Sequence, residues 1–116
     1  MDSTIEIARY GYAASAARQE ARACHTAARI VREEGHAASV LMSGHNAFVS
    51  RQHWRHVRGE AAEALIQALD ARRAALERAY PAAFQDMRYS DAPLGGRYIG
   101  GHPCGCRPEM GIVWEE

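Results

Sequence analysis

The amino-acid sequence predicts a mainly α fold of the α+β class: an antiparallel pair of long helices with a small C-terminal β-hairpin, and room for a second short hairpin at residues 38–49. Three observations carry this. Apolar residues recur at alternating steps of three and four through Ile7, Tyr10, Ala14, Ala17, Ala21, Cys24, Ala28 and Val31, and a second helical run holds Ala61, Ala62, Leu65, Ala68, Leu69, Leu76 and Tyr80. Gly35 and Pro81 stand where those runs end, a left-handed stop and a residue that cannot continue a helix. After Pro81 the chain turns to Gly, Pro and aromatic residues, with Arg97-Tyr98-Ile99 and Gly111-Ile112-Val113-Trp114 as two strand-like runs.

Ser3-Thr4-Ile5-Glu6 has the form of a capping box, so the first helix is expected over residues 3–34. Its seam is narrow and mostly alanine, which lets a neighbouring helix approach closely. The second helix starts as early as Ser50, with Gly59 as a weak point, and packing it antiparallel on the first buries both apolar faces. Between them, Val40-Leu41-Met42 and Ala47-Phe48-Val49 flank the turn-rich Ser43-Gly44-His45-Asn46; runs this short suit a hairpin or a short helix equally.

At 116 residues, 47% of them hydrophobic and 24% charged, the chain reads as one domain, 1–116, with enough apolar content to fold. No apolar run approaches the roughly 20 residues that span a bilayer, and three cysteines without an export signal make a reducing cytoplasm the expected compartment. All fourteen basic residues are Arg. The net charge is zero, yet residues 1–59 carry eight Arg against five acids and residues 60–116 carry six against nine, so the halves are opposite in sign.

Only one local motif holds chemistry of its own. His102-Pro103-Cys104-Gly105-Cys106 offers an imidazole and two thiolates, ligand types that zinc prefers, with a fourth donor to come from elsewhere in the chain. The spacing between Cys104 and Cys106 is tighter than zinc knuckles favour, so the ordinary reading is a plain tight loop with free thiols, with a metal site next and a redox or reactive thiol pair third, and no other cofactor is expected. Phosphate-binding glycine loops, zinc-protease helices and nucleophile elbows do not occur, and no nucleophile, base and orienting group come together in the sequence, so the chain is not expected to be an enzyme.

One position along from the alanine seam run Arg18, Arg22, His25, Arg29 and Arg32, which share one helical face. Arg51, Trp54, Arg55 and Arg58 form a second basic cluster around an aromatic ring. Guanidinium groups pair bidentately with carboxylate or phosphate, and an indole stacks on a base or packs into a protein pocket. Against this stands the ordinary reading in which such stripes are solvated faces and Trp54 belongs to the core. The expectation drawn is a small non-enzymatic protein that covers an acidic surface, protein or nucleic acid, with no membrane partner. A phage or mobile-element inhibitor of a host system fits so short a chain; a zinc-stabilised module using the His102-Cys104-Cys106 loop is the alternative. Because two helices enclose little, a second copy packing on the alanine-rich first helix is expected to give a homodimer.

Overall fold

The protein is described by a computed structural model covering residues 10–44 and 46–94, with the backbone of 97–98 and 111–113. Its elements are helix α1 (Tyr12–Arg29), a wider π-helical turn (Ile30–Glu34), strands β1 (His36–Ser43) and β2 (Asn46–His56), helix α2 (Gly59–Ala79), a 3-10 turn (Pro81–Phe84), and short strands β3 (Arg97–Tyr98) and β4 (Gly111–Val113). The capping box at Ser3–Glu6 and the seam residue Ile7 lie outside the described residues.

α1 is the central element. On it the alanine seam is internal: Ala17, Ala21, Cys24, Ala28 and Val31 are all buried. One flank of α1 meets the hairpin and another meets α2, so Ala27, Ala28, Ile30 and Val31 share a core with Ala38, Val49, Val57 and Ile66. Small side chains on α1 permit both approaches at once. Glu20 bonds to Arg72, and Tyr12 lines a groove with Tyr80, so the two helices run in opposite directions. α2 is the more superficial helix, with only Ile66 and Leu76 buried.

The expected placement of the β structure is corrected. A mainly helical pair with a small C-terminal hairpin is not what forms; the principal β element is central, the antiparallel pair β1–β2 of 8 and 11 residues. β4 and β3 only extend it, in the order β1-β2-β4-β3. The segment Ser50–His56, expected to begin the second helix, is strand. Its residues do not alternate apolar and polar, yet they supply the partners for the first half of β1: Ser39 opposite Ser50, Ala38 opposite Arg51 and Ala37 opposite Gln52. Were 50–56 helical, those β1 backbone groups would lose their ladder beside a core that excludes water.

Two glycines set the path. Gly35 is left-handed (φ 71°) and its N–H closes on the Val31 carbonyl at 3.2 Å, ending the π turn and reversing the chain into β1. Gly44 (φ 63°) supplies the positive φ of the hairpin turn, and a side chain there would come within 3.1 Å of the Tyr12 hydroxyl. The second helix starts only at Gly59, because Arg58 is extended. Beyond α2, residues 81–94 fold back over the two helices.

Candidate partner-binding surface

The two basic clusters of the sequence meet different fates. Arg18 is buried; it donates to the Ala83 carbonyl, lies 4.7 Å from the centre of the Tyr10 ring and 3.9 Å from the Asp86 carboxylate. Arg29 donates to both carboxylate oxygens of Glu33, at 2.8 and 3.4 Å, and to the carbonyls of Ser90 and Ala92. Arg22 is half-buried and also engaged. Within this stripe only Arg32, beyond the last turn of α1, is exposed. The shared face is therefore the bed on which residues 81–94 lie rather than an open basic surface.

Arg51 is likewise internal. Its guanidinium makes a bidentate pair with Glu34, 2.8 Å on each arm. Trp54, Arg55 and Arg58 behave differently. Trp54 is 60% exposed, Arg55 and Arg58 are exposed, and among the described residues none of Arg32, Arg55 and Arg58 forms an ion pair. The Val57 N–H bonds to the Gly35 carbonyl at 3.0 Å and His56 lies opposite His36, so the end of α1, the end of β2 and the start of α2 share one end of the molecule. Arg32, Trp54, Arg55 and Arg58 thus belong to the segments that meet at this end, while Arg18, Arg22, Arg29 and Arg51 are taken up by contacts within the fold. Glu60 and Glu63, exposed in the first turns of α2, give this end a mixed character.

At the same end, a register irregularity between His36 and Ala37 crowds the imidazoles, with the His36 ring centre 4.7 Å from those of His53 and His56. His36 Nδ1 is buried without a hydrogen-bond partner among the described residues. Burial, then the two neighbouring imidazoles, hold the His36 pKa below its ordinary value. A second network was not foreseen from the sequence: His25 stacks on Tyr89 at 4.8 Å, and the Tyr89 hydroxyl donates to Glu77 at 2.9 Å. Arg73 donates to both Glu77 oxygens, and burial followed by Arg73 and Arg29 lowers the His25 pKa. Arg73 and Glu77 are an ordinary i,i+4 pair, but Tyr89 reaches Glu77 from 12 positions away and His25 from 64, which no local pattern announces. Cys24, buried in the seam, has its thiol pushed up to about 11, chiefly by burial, and so packs as a small apolar group.

These lowered imidazoles make a pH prediction. As pH falls through the unfolded-chain histidine value of 6.5, the unfolded chain takes up protons before His25 and His36 do in the fold. Stability is therefore present above that value and is lost as pH drops towards the folded values. Glu33, held low by its hydrogen bond from Arg29, adds a loss only below 4.5. Urea denaturation midpoints should fall between about pH 7.5 and about pH 5, and less so in a His25→Gln, His36→Gln double variant. A midpoint that is flat across that window in the wild type contradicts this assignment.

A groove of about 470 Å³ opens between the start of α1 and the end of α2, lined by Tyr12, Ala16, Ala17, Leu76 and Tyr80 with the Glu20–Arg72 pair on one wall. Its largely apolar lining offers few groups that would orient a small ligand. Among the described residues no group of three or more His, Cys, Asp or Glu side chains is arranged to hold a metal ion, and His102, Cys104 and Cys106 lie outside them. No described helix is long and apolar enough to cross a membrane. Comparison with known protein families, with curated proteins and with solved structures finds no match to this chain.

Proposed function

We propose that this chain is a non-enzymatic, cytoplasmic binding protein that docks onto an acidic surface of a partner protein through Arg32, Trp54, Arg55 and Arg58. One observation carries the reading: a tryptophan with 60% of its surface in water adjoins Arg55 in a segment whose exposed arginines, Arg55 and Arg58, form no ion pair among the described residues. Leaving an indole in solvent forgoes the burial its large apolar surface would give, and Trp and Arg are the residues that most often dominate binding energy when a partner covers them. The zero net charge and the presence of Glu60 and Glu63 favour a protein over a nucleic acid, whose uniform phosphate charge calls for a strongly basic face.

Fluorescence anisotropy with a labelled polyglutamate peptide and a labelled thymidine oligonucleotide tests it. Polyglutamate should bind at low ionic strength with affinity that falls steeply with salt, and binding should weaken by about tenfold or more in Trp54→Ala and in an Arg55→Ala, Arg58→Ala double variant. Tighter binding of the oligonucleotide moves the reading to nucleic acid. No binding of either probe at low salt ends it.

A homodimer belongs to the same proposal, although its contact must move. With the alanine seam of α1 already covered by the hairpin and α2, that face has no room for another copy.

A further inference from the structure

Strand β1 lies at the end of the sheet order and, among the described residues, pairs with β2 alone, so one side of its backbone has no strand partner. Natural sheets protect such edges with lysine or other charges, proline, bulges or short length. β1 has none of these beyond its first residue. Ala37 to Ser43 contain no charged residue, proline or glycine, and the register with β2 is regular from Ala37 onward. Burial decreases along the strand: Ala37 and Ala38 are buried, Ser39 and Val40 are half-buried, and Leu41 (48%) and Met42 (42%) are exposed. Of the four exposed large apolar side chains among the described residues, Leu41, Met42 and Tyr12 gather at this outer end, Tyr12 through its approach to Gly44.

We infer that the open edge of β1, residues 39–43, pairs antiparallel with the same strand of a second copy and so joins two sheets into one. This rests on the homodimer part of the proposed function and names its surface. A second copy is the occupant that the charges favour. An acidic partner finds no cation in residues 37–43, whereas a copy meets an uncharged strand like itself, on a chain whose net charge of zero sets up no overall repulsion.

Symmetry fixes the register. A two-fold axis perpendicular to the sheet keeps both pairs of helices on one side only if residues of equal parity face each other, because successive side chains point to opposite faces. Centred on the exposed stretch, that axis passes through Leu41. Leu41 then meets its own copy, Val40 meets Met42 of the second copy, and Ser39 meets Ser43. The contact is isologous and closed, so it stops at a dimer. Its short length places it among weak, concentration-dependent associations.

Sedimentation equilibrium between about 5 µM and about 500 µM reads the outcome, a range chosen for a weak interface. The wild type should pass from monomer towards dimer, and Leu41→Lys and Met42→Lys should remain monomeric while binding polyglutamate as the wild type does. Hydrogen exchange on the wild type should show protection of the 39–43 amides rising with concentration, and this measurement stands even if a lysine variant fails to fold. A monomer throughout the range overturns both this pairing and the homodimer. A dimer that survives both lysine substitutions, with concentration-independent exchange in β1, overturns the pairing alone. Loss of polyglutamate binding without any change in dimerisation strikes the docking surface and leaves the pairing standing.

Discussion

Arg51→Ala is expected to destabilise the fold by about 3–5 kcal/mol, the range for removing one partner of a buried ion pair. Only 6% of Arg51 is exposed, and both carboxylate oxygens of Glu34 accept from its guanidinium at 2.8 Å. Truncation leaves the half-buried Glu34 carboxylate without a cation and opens a space under β2. The location magnifies the consequence. Glu34 closes the π turn after α1, and Arg51 stands opposite Ala38, so the pair ties the central helix to the hairpin where the chain reverses. A domain of this size has a total stability of about 5–15 kcal/mol, so the variant loses a large share of it. Urea denaturation measures the loss. An Arg51→Met, Glu34→Leu double variant should recover much of it, since replacing both charges by apolar groups removes the stranded carboxylate. A loss below about 1 kcal/mol in Arg51→Ala would place the pair among surface ion pairs and contradict its structural role.

The same pair shows why part of the fold was legible in the sequence and part was not. Periodicity exposes the apolar seam of α1, because Ala17, Ala21, Cys24, Ala28 and Val31 are spaced by the geometry of the helix that buries them. Gly35 and Pro81 mark real ends for the same local reason. β2 beyond Ser50 carries no such mark. Arg51-Gln52-His53-Trp54-Arg55-His56 has the composition of an exposed helix, and it is a strand because β1, over ten residues earlier, needs a partner. The arginine stripe fails in a related way. Spacing places Arg18, Arg22, Arg29 and Arg32 on one face but is silent about what covers that face, and the cover comes from residues 81–94. Trp54 is the converse case: an indole amid arginines could be core or contact, and only its emergence beside the irregularity at the base of the hairpin puts it in water.

That covering segment yields the second large effect. Arg18→Ala is expected to cost about 2–4 kcal/mol, combining a buried hydrogen bond from a charged donor with the loss of its stacking on an aromatic ring. Arg18 donates to the Ala83 carbonyl in the first turn after α2 and approaches Asp86, while Tyr10, whose ring it faces, itself donates to Asp86 at 3.2 Å. One guanidinium thereby joins the start of α1 to the segment that folds back across it. Its removal leaves the Ala83 carbonyl buried without its donor. The damage should be uneven, because Arg29 holds the same segment farther along through the Ser90 and Ala92 carbonyls. Hydrogen exchange should therefore accelerate first in residues 81–87, with residues 88–92 and the hairpin retaining more of their protection. An Arg18→Lys variant tests whether charge or shape matters. Lysine keeps the cation but cannot present a planar fork to a carbonyl and a ring together, so it should recover only part of the loss. Uniform acceleration across the whole chain in Arg18→Ala, or full recovery with lysine, would show that Arg18 acts as general core packing or as a simple charge rather than as the clamp on this segment.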